Sequence, residues 1–359
     1  MKRLSIIIIA LSLIFSVPAT SQKNSVPRDK FTLLTMPYYK RPLTLYRGQL
    51  QVNAGYKFAI RARAYDKEGN IKILKDNGTA SVYHYYFLNI RYGVFNFLEL
   101  SAETNYIKKG VRSPTETYFS TASDVVSVNT VTETKGMGDV LLMGTLRLPI
   151  TYRWFDFAAK GGMFLPTAKY EPPKPAHRIT NVSLTSANTY SINFHYNNTN
   201  GFGVPVYVVS AATKFSLSKF SLKADFTYMD PVKEGENIRW DEELSVADKT
   251  FAYDRNSYQY RLSHIIEANA SVHYQATGWF NIAINSNYHR SEGGWTEYLS
   301  KKYKNPEEHL FTLEPAMEIQ ISPSVTVYEI TGLPLSGKNM DAPFYIFITL
   351  SYNLFPFYK

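Results

Sequence analysis

Residues 267–291, EANASVHYQATGWFNIAINSNYHRS, set polar side chains against apolar ones at nearly every second position. Glu267, Asn269, Ser271, His273 and Gln275 alternate with Ala268, Ala270, Val272 and Tyr274. After a short break, Asn281, Asn285, Asn287 and His289 alternate with Phe280, Ile282, Ile284 and Tyr288. A period of two is the signature of a strand whose faces meet different environments. The same rule holds in 48–65, 81–93, 97–107, 138–149, 154–165 and 201–215, and again in 219–229, 257–275, 280–289, 310–321, 325–333 and 344–355. The pattern predicts about twelve strands.

Connection lengths say how those strands are joined. Short breaks follow the even-numbered strands: VFN, PITYR, SLS, ATGW and SPS. Long polar segments follow the odd-numbered ones, at 65–80, 108–137, 166–200, 230–256, 290–309 and 334–343. Strict sorting of this kind is the layout of a transmembrane antiparallel β-barrel, with short periplasmic turns, long extracellular loops and an even strand number. Only a closed barrel satisfies every backbone group in hydrocarbon without helices. The expectation is therefore an all-β barrel of about twelve strands over residues 47–359, apolar outside and polar inside.

Composition then makes sense. Mean hydropathy is only −0.24 because half of each strand faces water. Aromatic residues make up 15 % of the chain. They bracket the predicted turns, as Phe95 and Phe97, Tyr152 and Trp154, Trp279 and Phe280, and they end the last strand as Phe355, Phe357 and Tyr358. That is where an interfacial belt belongs.

The N-terminus, MKRLSIIIIALSLIFSVPATSQ, reads as a signal peptide over 1–22, with Lys2 and Arg3 before an apolar run and small residues at Ala19, Thr20 and Ser21. Of the formal charge of +9, Lys2 and Arg3 supply two, leaving +7 on the exported chain. Much of that charge sits near the N-terminus, at Lys23, Arg28, Lys30, Lys40, Arg41 and Arg47. Residues 23–46, with Pro27, Pro37 and Pro42, read as an irregular arm lying in the periplasm or partly plugging the barrel. With no cysteine there are no disulfides and no thiolate metal sites. Export and the lack of a recognition motif argue against nucleic acid as a partner.

The polar faces yield nine inward bases, Lys57, Arg61, Arg63, Arg91, Arg147, Lys160, Lys214, Lys223 and Arg261. They also yield nine acids: Glu99, Glu103, Asp139, Asp156, Asp225, Glu267, Glu314, Glu318 and Glu329. A balanced lining predicts weak ion selectivity, because a selective pore carries an excess of one sign. The residues expected to line the lumen near mid-barrel are Lys57, Arg61, Arg91, Glu99, Glu103, Arg147, Arg261 and Glu267. A turn centred on Phe95 would set Arg91 directly opposite Glu99, and one centred on Gly278 sets Glu267 opposite His289. Such opposed pairs contribute a few tenths to ~1 kcal/mol.

HRSEGG (289–294) resembles the His-x-Ser stretch of outer-membrane phospholipase A, a barrel of this size. That family's catalytic His and Ser face lipid, whereas His289 continues a polar series that points inward. Where the family carries Asn after the Ser, this chain has Glu292. An inward Glu267–His289–Ser291 trio is the catalytic alternative, with Glu orienting His and His activating Ser. A polar lining is the commoner reading of such a pattern, and no catalytic residue is assigned. His84 and His264 fall on the outward face. No histidine pair has metal spacing and no phosphate loop precedes a helix, so neither metal nor cofactor is expected.

Several stretches together resemble the outer-membrane barrel family named after the MetA pathway of phenol degradation. They are RPLTLYRGQLQV, RYGVFNFLEL (Arg91, Tyr92, Gly93, Leu98, Glu99, Leu100), GMGDVLL (Gly136, Gly138, Asp139), FLPTAKY (Pro166, Thr167) and TGLPLSGKN (Gly332, Pro334, Gly337, Asn339). Ala168 stands where a Gly is expected, and Lys359 follows the last aromatic residue. The resemblance implies passive passage of small, hydrophobic or aromatic molecules across the outer membrane of a Gram-negative cell. It carries over no catalytic residues. The expected partners are outer-membrane lipid, a small-molecule solute, and the barrel-assembly machinery acting through the C-terminal strand. A lipid-modifying hydrolase using His289 and Ser291, and a structural or adhesive surface barrel, are the alternatives.

Overall fold

The computed structural model describes residues 41–74, 80–112, 116–121, 124–128, 131–148, 154–168, 174–181, 189–195, 201–237, 243–246, 249–252, 258–298 and 301–354. The expected signal peptide, the arm up to residue 40 and the C-terminal aromatic residues lie outside them. Twelve strands form the wall. The first six are β1 (Leu50–Arg61), β2 (Ser81–Phe95), β3 (Leu98–Arg112), β4 (Val140–Arg147), β5 (Phe155–Leu165) and β6 (Val206–Leu217). The others are β7 (Phe220–Pro231), β8 (His264–Gln275), β9 (Phe280–Glu292), β10 (Glu308–Ser322), β11 (Val325–Lys338) and β12 (Phe344–Leu354). Each pairs antiparallel with its neighbour, and β12 pairs back onto β1 from Leu50↔Leu354 to Ile60↔Phe344. The sheet is therefore a closed barrel, with no helix among the described residues.

Four of the five short connections sit where the sequence put them, and PITYR (149–153) lies outside the described residues. β2 turns into β3 at Asn96–Phe97, β6 into β7 at Ser218–Lys219, and β10 into β11 at Pro323–Ser324. Ser218 takes φ 52°, the left-handed conformation that so tight a turn demands. At the opposite end the strands outrun the expected bounds. β3 continues to Arg112, where Val131–Met137 keeps pairing with it above β4. β9 reaches Glu292 and β11 reaches Lys338.

The packing is inverted relative to a water-soluble domain. On β12, Phe344, Ile346, Ile348, Leu350 and Tyr352 are exposed, and Tyr345, Phe347, Thr349, Ser351 and Asn353 between them are not. Val209 on β6 is 59 % exposed, while Glu99, Lys214 and Asn281 are buried. A contiguous apolar exterior around a polar interior makes the outer face lipid-facing, the arrangement of an outer-membrane barrel. Aromatic pairs mark the short-turn rim: Phe95 stacks on Phe97, Trp154 meets Phe215 edge-on, and Trp279 lies beside Phe280. Rings with an apolar body at the membrane–water boundary anchor a barrel at a fixed depth.

Candidate functional site

The lumen is crossed near the short-turn end by a strap of chain, residues 41–46, lying just ahead of β1. The strap has no regular structure of its own, so its backbone groups need partners from the wall. Leu43 N–H donates to Asp156 Oδ2 on β5 and Leu45 N–H to Glu99 Oε2 on β3, both at 2.8 Å. The Arg41 guanidinium meets Glu318 of β10 at 2.8 Å, and Lys214 Nζ of β6 donates to the Arg41 carbonyl at 2.8 Å. Thr44 is 2 % and Leu45 is 7 % exposed. These contacts lie on β3, β5, β6 and β10, so the strap crosses the lumen instead of following one strand.

The carboxylates that hold the strap are themselves held. Arg91 meets both oxygens of Glu99 through Nε and Nη2, each at 2.8 Å, and donates through Nη1 to Gln51. Arg147 Nε lies 2.6 Å from Asp156 Oδ1. Each carboxylate thus bridges a wall arginine and a strap N–H, and charge-assisted bonds of this kind are about twice as strong as neutral ones. Gly93 is required where the strap joins the wall. It exchanges backbone bonds with Gly48 and Gln49, and a Cβ there would lie 2.0 Å from the Tyr46 carbonyl oxygen.

Above the strap the lumen opens into two chambers. The lower, about 640 Å³, has the strap as its floor and Lys214, Lys223, Asp225, His273 and Asn285 in its wall. The upper, about 690 Å³, is lined by Lys57, Arg61, Glu103, Glu267 and His289 together with Tyr83, Tyr85 and Tyr345. Phe87, Glu314 and Phe347 line both chambers and so form the waist between them. The two phenyl rings meet edge to face at 6.0 Å. Gly55 makes room for this contact, because a Cβ there would come within 2.8 Å of the Phe347 ring. Also in the upper chamber, Lys57 Nζ sits 3.6 Å above the Tyr345 ring, and the Tyr345 hydroxyl donates to Glu314.

The expected lining residues are distributed as follows. Lys57, Arg61, Glu103 and Glu267 face the upper chamber and Arg91 the lower. Glu99 lies beneath the strap and Arg147 is tied to Asp156. Arg261 belongs elsewhere. The wall strand starts only at His264, and Arg261 lies in a small loop sheet, exposed, 3.9 Å from Asp230. Arg63 is likewise exposed, in a hairpin that begins after β1 breaks at Ala62.

Glu329 is turned to the other face. Thr326, Tyr328 and Ile330 of β11 line the chambers, which leaves Glu329 on the outer side beside Met317 and Ile348, accepting a bond from Thr331 at 2.8 Å. Carboxylates are disfavoured on a lipid face, although less than lysine or arginine. Glu329→Gln is expected to stabilise the barrel by about 1 kcal/mol, read as a raised urea midpoint in phospholipid vesicles. Asp139, expected as a lining acid, accepts the Ala168 and Phe202 N–H groups and so ties both ends of the connection between β5 and β6 to the start of β4.

Of the two charge pairs expected from turn geometry, Glu267 does lie opposite His289, with His289 Nδ1 at 3.1 Å from its Oε1. Arg91 and Glu99 touch but are not opposite. The turn lies at Asn96–Phe97 and not on Phe95, and with the bulge at Val94 the register sets Gly93 opposite Glu99, which Arg91 reaches diagonally. The Glu–His–Ser trio is not assembled. Ser291 Oγ donates to Glu308 at 3.4 Å, and no hydrogen bond joins it to His289 among the described residues. His84 is on the outer face, bonded to the Tyr56 hydroxyl at 2.8 Å.

One group was absent from the sequence reading. Tyr83, Tyr85 and Phe87 share the parity of Asn89 and Arg91, so alternation alone could have placed them inside. The strap is the described end of the arm expected in the periplasm or partly plugging the barrel, but its anchors left no such signal, because two of them are backbone N–H groups of apolar residues.

No family model matches the chain, and no curated protein matches it in sequence. Solved structures do match. The COG4313 outer membrane channel from Pseudomonas putida F1 superposes with a TM-score of 0.59 at 13 % identity, covering 88 % of this chain and 98 % of that one. The translocator domain of the autotransporter NalP from Neisseria meningitidis reaches a TM-score of 0.45 at 9 % identity, covering 86 % of this chain and 90 % of that one. The toluene transporter TbuX from Ralstonia pickettii reaches 0.38 at 8 % identity, covering 86 % and 90 %. The first likeness speaks for the fold alone, and the other two superpose too loosely to carry an argument.

Proposed function

We propose that the chain is a passive channel for small solutes in the outer membrane of a Gram-negative cell. The observation that carries this reading is the pair of chambers, about 690 and 640 Å³, stacked along the lumen and meeting at Phe87, Glu314 and Phe347. A barrel serving only as a scaffold for its loops has no need of stacked cavities with polar walls, since a barrel of small bore can be filled by side chains. Rings at the waist and in the upper chamber suit a solute with an apolar or aromatic part. Lys57, Arg61, Arg91, Glu103 and Glu267 act through local field and bore, not through chemistry.

Single-channel recording from refolded protein in a planar bilayer tests the reading. Discrete steps of small conductance are expected, with reversal potentials near zero in a salt gradient, because the wall charges are largely paired. A silent bilayer, from protein whose heat-dependent gel shift shows that it is folded, would overturn it.

A further inference from the structure

The upper chamber carries more specific information about the solute. Its acidic lining comprises four carboxylates, Glu103, Glu267, Glu314 and Asp341, and its lysine and arginine lining two side chains, Lys57 and Arg61. Arg61 is paired with Asp341 at 2.8 Å. Lys57 lies over Tyr345, whose hydroxyl is bonded to Glu314. Glu103 and Glu267 remain. Glu103 accepts only the Asn89 amide, at 3.3 Å, and Glu267 meets only His289; neither has a lysine or arginine partner among the described residues. They stand on β3 and β8, on opposite sides of the lumen, with aromatic rings in the wall between them.

The chain's own side chains show what such walls accept. The Lys57 ammonium rests on a tyrosine face, and Lys109 Nζ stands 4.6 Å above the Tyr83 ring at the edge of the same chamber. A cation over an aromatic face is attracted by the ring quadrupole, more strongly where water is excluded. We propose that the upper chamber binds small organic ammonium ions with an apolar or aromatic body, the charge shared between Glu103 and Glu267 and the body resting on Tyr85 and Phe87. This deepens the channel reading: the preferred solute is an amphipathic amine, and a neutral hydrocarbon or an aromatic acid is disfavoured.

Three probes of one shape separate charge from size: benzylammonium, benzyl alcohol and benzoate. Isothermal titration of the folded, detergent-solubilised full chain measures binding whether or not the barrel conducts, so a failed site and a failed channel are distinguishable. Benzylammonium is expected to bind at least tenfold more tightly than either analogue, because it alone makes charge-assisted bonds. Glu103→Gln and Glu267→Gln are each expected to weaken it by roughly tenfold, the loss of one such bond. The gel shift shows that each variant folds. Should either variant fail to fold, Tyr85→Leu replaces it, with a several-fold loss for benzylammonium and little change for benzoate. Equal binding of the three probes, or variants within twofold of the parent, would overturn the proposal.

Discussion

A chain that begins at Arg47, and so lacks the strap, is expected to conduct several-fold better than the full mature protein. The strap is the floor of the lower chamber, so nothing described remains across the short-turn end once it is gone. Its loss also removes one positive charge from the opening. Glu318 loses Arg41, and Glu99 and Asp156 lose the N–H groups of Leu45 and Leu43. The uncovered mouth has then lost one cation, while Glu99 and Asp156 keep Arg91 and Arg147, and the reversal potential should move slightly toward cation preference. Gly93→Ala reaches the same end by a single atom, because its Cβ would collide with the Tyr46 carbonyl and push the strap from its seat. Single-channel recording decides. Conductance and reversal potential unchanged in both proteins would mean that the strap does not control the route.

The second large effect concerns stability. Arg91→Met is expected to lower the unfolding free energy by about 3 kcal/mol, the low end for breaking a buried pair. Glu99 is only 3 % exposed and would keep its charge with one N–H for company, while Arg91, at 30 % side-chain exposure, is partly hydrated already. The companion Arg91→Met/Glu99→Gln is expected to recover most of the loss, since removing both charges leaves no unpaired ion and the glutamine oxygen can still accept from Leu45. Urea titration in phospholipid vesicles, following tryptophan emission, measures both. If the double variant were as unstable as the single one, the pair would owe its worth to packing and not to charge.

How far the sequence led depends on the kind of contact involved. Alternation and turn length were enough for the wall, because lipid on one side and water on the other impose a period of two, and a tight turn needs few residues. The lining failed where that period was interrupted. Arg63 and Arg261 were assigned inward by counting through breaks at Ala62 and at Leu262–Ser263, beyond which the chain belongs to loop sheets that no membrane disciplines. Glu329 was placed inward because it is charged, whereas β11 spends its inner positions on Thr326, Tyr328 and Ile330. The Arg91–Glu99 contact was anticipated but its register was not, since the turn falls at Asn96–Phe97 instead of on Phe95 and the bulge at Val94 leaves no mark in the hydrophobic pattern. The strap was the least legible. Nothing in PLTLY shows that its amide groups are destined for carboxylates 54 and 113 residues away.

Those separations carry a consequence for the order of assembly. Arg41 and Glu318 stand 277 residues apart, and the strap's other anchors come from β3, β5 and β6. No partly built sheet offers all of these at once; they converge only when the ring of strands is complete. Closing a loop of that length must precede any reward from the contact it makes. The first described residues of the chain are therefore among the last to settle: the cylinder assembles hollow, and the strap then spans its lower end.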